Sequence, residues 1–285
     1  MHVPIDWLKQ KNREFRDAGV DPKRRPWEAL SRYSIEFRSK FSLDSPIAEE
    51  IFEYFKTNSK SGAHHVGSLY DSVYFYDAAF WVVSIPIMYG TVQLDSSKSL
   101  REMPEQIKRE LLSTPETAWD FVVFWADCVD YGLGISELSA QSVLDPFGRQ
   151  LLMAADQELR SAISQLKENR PNERALMTCR MATEIFLKAY IALKVGLTEK
   201  QAREFGHNLD KLFDRFLECS GYLNWEVARN KLEVFPSVQD RYSEQSHPAA
   251  NLWTGFALAQ SIGTLIVREK SGRNTISQIR PSKDQ

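Results

Sequence analysis

Apolar residues recur at helical spacing along most of this chain, and that pattern predicts a mainly helical protein. Near the N-terminus, Ile47, Ile51 and Phe55 fall on one face of a helix that would begin at Pro46, directly after a Ser45 cap. A helix with one apolar face needs a partner to cover that face. The first sixty residues are therefore predicted to form short helices joined by charged turns.

Residues 69–94 depart from this pattern. They are rich in aromatic and β-branched side chains and carry little charge, which favours a pair of buried strands. A buried helix is the alternative interpretation. Pro86 argues against a central strand that continues through it. The N-terminal part of the chain is therefore expected to be either helical or α+β.

A clearer helix is predicted over 115–131. Its apolar residues cover most of the helical circumference, which is typical of a helix that is buried on nearly all sides. Pro115 suits the first helical position, and Gly132 and Gly134 are expected to end the helix. The turn-forming residues at 145–148 follow, and they are the predicted domain boundary.

Beyond this turn the pattern is nearly all helical. Apolar stripes predict helices over 149–169, 173–195, 209–217, 225–235 and 248–269. Helices of this kind bury their stripes against one another, so a four- to five-helix bundle is expected over 146–270. Residues 271–285 are polar and are expected to form a loose tail. The predicted class is mainly α, with this bundle preceded by a helical or α+β domain over 1–145.

Composition agrees with a globular protein and excludes several classes. Hydrophobic residues make up 43% and charged residues 26% of the 285 positions, which is close to the average for soluble domains. The net charge of -2 excludes a uniformly basic nucleic-acid coat. Residues 146–285 nevertheless hold 20 Lys and Arg against 16 Asp and Glu, while residues 1–145 hold 16 against 22. The small basic excess of the C-terminal half would weakly attract a phosphate-bearing ligand.

The sequence has no motif for a metal ion or a common cofactor, and none is expected. Cys128, Cys179 and Cys219 are far apart and form no CxxC pair, so they are interpreted as small buried hydrophobic residues. The chain contains no GxGxxG, Walker A, GxSxG or HExxH sequence. Its first residues lack the features of a signal peptide, and no run of eighteen uncharged apolar residues occurs. We therefore expect a cytoplasmic protein that does not enter a membrane.

Three parts of the predicted bundle occur in a recognisable order. They are the run RMATEIFLKAY at 180–190, Gly-His-Asn-Leu at 206–209 and Arg-Tyr at 241–242. Together they resemble the HEPN family, the "higher eukaryotes and prokaryotes nucleotide-binding" domain, over roughly 149–270 and not over 1–145. The resemblance implies a compact helical bundle that pairs with a second copy. It also implies a role in RNA cleavage, in nucleotide binding, or in prokaryotic defence and toxin systems.

The resemblance further implies a catalytic pair. Nuclease members carry an Arg and, four to six residues later, a His near the start of the last main helix. Five residues separate Arg241 from His247 here, which suggests that Arg241 clamps phosphate and His247 moves the proton. Two features depart from the family pattern: Tyr242 stands where a polar residue is usual, and Pro248 follows His247 directly. Because a residue before proline avoids the helical conformation, His247 is expected at or just before the helix cap.

A second group of polar residues lies on the predicted helix over 173–195. Arg180, Glu184 and Lys188 are spaced i, i+4, i+8, so they share one helix face. They either line a groove that receives nucleotide or RNA, together with His207 and Tyr242, or form a surface salt-bridge ladder. His207 precedes the predicted Asn208 cap of the next helix, where it would help to bind a phosphate or pack back to satisfy a carbonyl.

These observations predict a protein that handles RNA or a nucleotide. The leading hypothesis is a metal-independent endoribonuclease of a prokaryotic defence or toxin-type system that acts as a homodimer. A protein partner or inhibitor is part of the same hypothesis. The alternative is a non-catalytic module that binds a nucleotide or a protein, or that dimerises the chain. The role of residues 1–145 stays open in both cases.

Overall fold

The fold is known from a computed structural model, which describes residues 2–22, 24–38, 45–58, 68–87, 94–141, 144–221, 223–244 and 246–279. The chain divides into two compact units, Met1–Gly67 and Ser68–Gln285. Most of the described residues are helical, which confirms the mainly α class.

Where the structure describes the first unit, it has three helices, α1 (Ile5–Asp17), α2 (Arg25–Glu36) and α3 (Pro46–Thr57). Their apolar faces meet in a core that includes Leu8, Phe15, Tyr33, Ile51 and Phe55. The Ser45 side chain accepts a hydrogen bond from the Ala48 amide at 3.3 Å. This contact confirms the predicted cap ahead of Pro46.

The described residues of the second unit form a hairpin and seven α-helices. The hairpin strands are β1 (Tyr70–Tyr76) and β2 (Ala79–Ile85). The helices are α4 (Glu105–Leu111), α5 (Pro115–Ala140), α6 (Pro146–Leu166), α7 (Ala175–Val195), α8 (Glu199–Glu204), α9 (Leu209–Ser220) and α10 (Ala249–Ser271). Short 3-10 helices occupy Ser96–Ser99, Leu223–Val234, Val238–Tyr242 and Thr275–Gln278.

The hairpin confirms the predicted pair of strands. β1 and β2 are antiparallel, with Tyr70 opposite Ile85 and Tyr76 opposite Ala79. The two turn residues, Asp77 and Ala78, have φ angles of 50° and 58°. A two-residue turn with both φ angles positive matches the right-handed twist of the strands. As predicted, β2 ends before Pro86.

Helix α5 does not end at Gly132 and Gly134, and that prediction was wrong. A Cβ atom at residue 132 would lie 2.6 Å from the Tyr70 Cβ, and one at residue 134 would lie 2.1 Å from Val267 Cγ1. The two glycines therefore allow β1 and α10 to approach the backbone of α5, and the helix continues to Ala140. Glycine here provides space rather than a helix stop.

Helix α5 and the hairpin belong to the same unit as the C-terminal helices. Both pack against α6 and α10, and their buried residues form one continuous core with those of α7 and α9. The division of the chain therefore lies near residue 67, and not at the turn over 145–148 where we predicted it. The turn at 145–148 only separates two packed helices.

Helix α7 lies at the centre of a bundle-like group of helices. It packs antiparallel to α6, where Gln165 near the end of α6 contacts Thr178 near the start of α7. It runs parallel to α10, because Leu176 lies beside Gly255 and Tyr190 beside Glu269. Helix α10 is long and apolar enough to cross a membrane by composition, but 61% of its apolar window is buried inside the fold. That burial is the environment of a core helix.

Residues 271–279, the first part of the predicted loose tail, are held against helix α5, so that part of the prediction was wrong. Helix α10 continues to Ser271, and Thr275 then donates hydrogen bonds from its amide and its hydroxyl to Asp130 of α5, at 2.9 and 2.5 Å. Asp130 is 1% exposed and also binds Arg268 at 2.7 Å. A buried carboxylate requires such partners, and it holds the segment after α10 in place. Residues 280–285 lie outside the described residues.

Candidate functional site

Three polar residues of the central helix α7 are largely buried. The side chains of Arg180, Glu184 and Lys188 are 8%, 3% and 13% exposed. Their i, i+4, i+8 spacing places them on one face, as predicted. A salt-bridge ladder on the surface would leave these side chains in water, so that alternative does not fit. Charges at such depth need close partners.

Those partners lie on the connection between α8 and α9. Gly206 has a φ angle of 57°, a left-handed conformation that glycine adopts without strain. The Asn208 side chain accepts a hydrogen bond from the Lys211 amide at 2.9 Å and caps α9, as expected. Because the turn and the cap are both fixed locally, the main chain of residues 206–208 faces α7 in one conformation.

Two cations of α7 hold this connection through its main chain. Lys188 Nζ donates to the carbonyl of Gly206 at 2.8 Å, and Arg180 Nη2 donates to the carbonyl of His207 at 2.8 Å. Lys188 Nζ also binds Glu184 Oε1 at 2.8 Å, while Arg180 Nη1 lies 3.5 Å from Glu184 Oε2. Glu184 therefore lies between the two cations, and its negative charge partly neutralises both of them.

The same carboxylate also holds the imidazole of His207. Nδ1 of His207 lies 3.1 Å from Glu184 Oε1 and 3.0 Å from Oε2. The Glu184 side chain is 3% exposed, whereas the His207 side chain is 56% exposed. The contact therefore connects a buried anion to a ring at the surface. We predicted that His207 would either help to bind a phosphate or satisfy a carbonyl. Its ring instead contacts the Glu184 carboxylate, and the main-chain carbonyl of His207 accepts a hydrogen bond from Arg180.

The charges of this group are unequal. Arg180 and Lys188 contribute two positive charges and Glu184 one negative charge, so the cluster carries a net positive charge before His207 is protonated. Burial lowers the pKa of the Arg180 guanidinium, and the neighbouring Glu184 opposes that shift. A partly desolvated positive charge attracts an anionic ligand more strongly than an exposed one.

His207 lies at a surface pocket of about 480 Å³. The pocket is lined by Arg180, His207, Asn208, Leu209, Asp210, Arg229, Asn230, Leu232, Glu233, Phe235, Pro236 and Ser237. Arg229 is held in position by Asp214 and Glu226, each at 2.6 Å. The pocket therefore combines two arginines with the carboxylates of Asp210 and Glu233, amide side chains and an aromatic ring.

The predicted residues Arg241 and His247 are not part of the described lining of this pocket. His247 is partly buried, and its amide donates to Glu173 Oε2 at 2.6 Å, directly before α10 begins at Ala249. This position confirms that His247 precedes the helix. The side chain of Arg241 lies outside the described residues, so the pairing stays a prediction. Glu244 and Glu173 line a different pocket, of about 490 Å³, at the connection between α6 and α7.

Tyr242 was predicted to join the binding residues. It ends the 3-10 helix Val238–Tyr242 and is 81% exposed. Its exposure leaves the ring accessible to a ligand. It does not belong to the described lining of the His207 pocket.

Nothing in the described ranges resembles a metal site. Within them, no group of three or more His, Cys, Asp or Glu side chains lies close enough to hold an ion. Cys128 and Cys179 are fully buried, and burial raises the pKa of both thiols. Cys219 is only partly buried. The interpretation of the cysteines as buried hydrophobic residues is thus confirmed for two of the three.

Sequence reasoning missed the far wall of the pocket. Arg229, Asn230 and Phe235 come from the segment around Leu223–Val234, which was predicted only as a short helix. No spacing in the sequence relates these residues to His207, because the packing of the 3-10 helix on α9 and α10 brings them there. Helix α8 was also missed, although the Thr198–Gln201 capping box marks its start.

Comparisons with known proteins do not add to this picture. No protein-family model, no curated protein and no solved structure matches the chain. The likeness to the HEPN family therefore depends on the motifs in the sequence alone.

Proposed function

We propose that this protein binds RNA or a nucleotide at the His207 pocket and acts as a metal-independent endoribonuclease. The observation that carries the proposal is the convergence of Arg180, Glu184, Lys188 and His207, which were predicted as binding residues, in one cluster. Arg180 and His207 of this cluster line the pocket. The net positive charge of this group suits a phosphate-bearing ligand. The resemblance to the HEPN family supports the same activity.

Metal-independent cleavage of RNA makes three chemical demands. A base must act near the ribose 2′-hydroxyl, an acid must protonate the leaving oxygen, and positive charge must stabilise the phosphate in the transition state. Histidine can serve as base or acid, and arginine can hold the phosphate through paired hydrogen bonds. In this proposal Arg241 and His247 remain the catalytic pair that the resemblance implies, and Tyr242 remains a ligand contact.

The biological setting belongs to the same proposal. The resemblance supports a homodimer, a cytoplasmic location and a prokaryotic defence or toxin-type system with a protein partner or inhibitor. No observation on the described residues bears on these points directly, so they depend on the resemblance.

A cleavage assay tests the proposed activity. Purified protein is incubated with single-stranded RNA in excess EDTA, and the products are followed on a denaturing gel. We expect cleavage in EDTA that is lost in Arg241→Ala and in His247→Ala. A wild-type protein that leaves RNA intact contradicts the endoribonuclease proposal. A His247→Ala protein that cleaves at the wild-type rate removes that residue from the catalytic pair.

A non-catalytic module is the second candidate, and one observation favours it. Arg180 and Lys188 each donate to a main-chain carbonyl, so the cluster also serves to secure the connection before α9. In a module of this kind, nucleotides would raise the melting temperature of the protein without any cleavage of RNA. Measuring both properties on one preparation separates the two candidates.

A further inference from the structure

We propose that His207 is a proton-transfer group for RNA cleavage and that Glu184 is its positioning residue. This inference depends on the endoribonuclease activity proposed above and adds a second histidine to it. The observation behind it is the contact between the buried Glu184 carboxylate and the exposed His207 imidazole, which lines the pocket.

The contact determines which ring nitrogen carries the proton in the neutral imidazole. Both oxygens of Glu184 lie within hydrogen-bond distance of Nδ1, and an ionised carboxylate can only accept. The proton therefore resides on Nδ1, and Nε2 keeps its lone pair. Since the Nδ1 edge of the ring meets the buried carboxylate, the Nε2 edge is the one that reaches a ligand in the pocket.

The surroundings hold this arrangement in place before any ligand binds. The carbonyl oxygens of residues 206 and 207 are fixed by Lys188 and Arg180, and the next residue caps α9. The chain contains a second His–Glu contact, between His2 and Glu50, but there the imidazole is 93% and the carboxylate 31% exposed. A pair exposed to that extent is weakly ordered. Only the buried pair keeps the imidazole in a defined orientation at a pocket.

The proposed step follows from this geometry. His207 Nε2 takes the proton of a ribose 2′-hydroxyl, and the 2′-oxygen forms a bond to the adjacent phosphorus. The bond between phosphorus and the 5′-oxygen breaks, and that oxygen takes a proton from a second acid or from water. The products are a 2′,3′-cyclic phosphate end and a 5′-hydroxyl end. The Glu184 carboxylate stabilises the imidazolium that forms.

The lining of the pocket indicates the class of substrate. Phe235 and Pro236 offer an apolar wall, while Asn208, Asn230 and Ser237 offer hydrogen-bonding groups. Single-stranded RNA can splay a base onto an aromatic ring and present its edges to amide side chains, whereas a base within a duplex cannot. We therefore expect single-stranded RNA as the substrate, with one unpaired base entering this pocket.

The decisive variant is His207→Ala. Its fold should survive, because the imidazole is exposed and the connection is held through main-chain carbonyls. We expect cleavage to fall by about 10²- to 10⁴-fold, the usual contribution of a general base. His2→Ala is the matched control, since it also removes an imidazole paired with a glutamate, and it should cleave at the wild-type rate. An oligonucleotide with a 2′-deoxyribose at the cleavage position should resist the wild-type protein.

A spectroscopic readout tests the role of Glu184 separately from activity. At pH 8, ¹⁵N NMR of the imidazole should report the proton of His207 on Nδ1 in the wild-type protein. In Glu184→Gln the amide group can donate to Nδ1, so the proton should move to Nε2 and the rate should fall.

The outcomes separate this inference from the proposed function. A His207→Ala protein that cleaves RNA at the wild-type rate overturns the role of His207 and leaves the endoribonuclease proposal intact. A proton found on Nε2 in the wild type overturns the positioning role of Glu184. A wild-type protein that cleaves no RNA overturns both proposals.

Discussion

Replacing Glu184 with glutamine should strongly destabilise the second unit. The Glu184 side chain is 3% exposed and lies between the side chains of Arg180 and Lys188, which are 8% and 13% exposed. Glutamine keeps an acceptor oxygen but no charge, so two largely buried cations would face each other without a compensating anion. Breaking a buried ion pair by removing one partner costs about 3–5 kcal/mol. Because Lys188 keeps some contact with water, we expect a loss near the lower limit, about 3 kcal/mol.

The chain offers a closely matched control for this substitution. Glu199 also pairs with an arginine at i,i+4, but the Arg203 and Glu199 side chains are 77% and 67% exposed. The same change, Glu199→Gln, should therefore alter the free energy of unfolding by no more than about 0.5 kcal/mol. The substitution is the same in both variants. The two glutamates differ in burial and in their partners, since Glu184 contacts Arg180, Lys188 and His207 and Glu199 contacts Arg203.

Differential scanning calorimetry is the suitable assay, because it can resolve the two units as separate transitions. For a unit of this size, 1 kcal/mol corresponds to about 2–4 °C in melting temperature, so Glu184→Gln should lower the transition of the second unit by roughly 6–12 °C. Equal shifts in the two variants, or no shift in Glu184→Gln, would refute the claim that a buried charge cluster holds the connection between α8 and α9.

Three further predictions concern packing, pH and thiol reactivity. Gly134→Ala places a Cβ 2.1 Å from Val267 Cγ1, so it should cost about 1–3 kcal/mol in urea denaturation, and Val267→Ala in the same chain should recover part of that loss. Burial raises the pKa of Asp127 to about 6, so the folded protein holds this proton between about pH 4 and pH 6 while the unfolded chain releases it. The stability of wild type relative to Asp127→Asn should therefore fall by up to about 3 kcal/mol as pH rises through that range, and an unchanged difference in urea denaturation would contradict the assignment. Cys128 and Cys179 are fully buried with raised pKa values, so mass spectrometry after iodoacetamide treatment of the native protein should find both thiols unmodified.

The helical part of the fold was predictable because its signal is local. Apolar periodicity located α6, α7, α9 and α10 to within a few residues, and Ser45 marked a helix start by its own side chain. Glycine is different, because it ends some helices and provides space in others. Only the neighbours of Gly132 and Gly134, which come from distant parts of the chain, decide between these roles.

The candidate site was predictable in part for the same reason. The spacing of Arg180, Glu184 and Lys188 determined that they share a helix face, and this was confirmed. Sequence spacing could not reveal that His207 meets Glu184, because that contact depends on how the connection before α9 packs against α7. The pocket wall at Phe235 has no sequence signal at all, since it is made by tertiary packing.

The hydrogen bonds between Asp130 and Thr275 have a consequence for synthesis on the ribosome. The two residues are 145 positions apart in the sequence. The hydrogen bond from the Tyr70 hydroxyl to the Gln260 side chain likewise joins residues 190 positions apart. The central part of the second unit therefore cannot complete its buried polar contacts until α10 and the segment after it have emerged. The first unit has all its core helices by residue 57. Folding of the nascent chain should thus proceed in two stages, an early one of three helices and a late one of everything else.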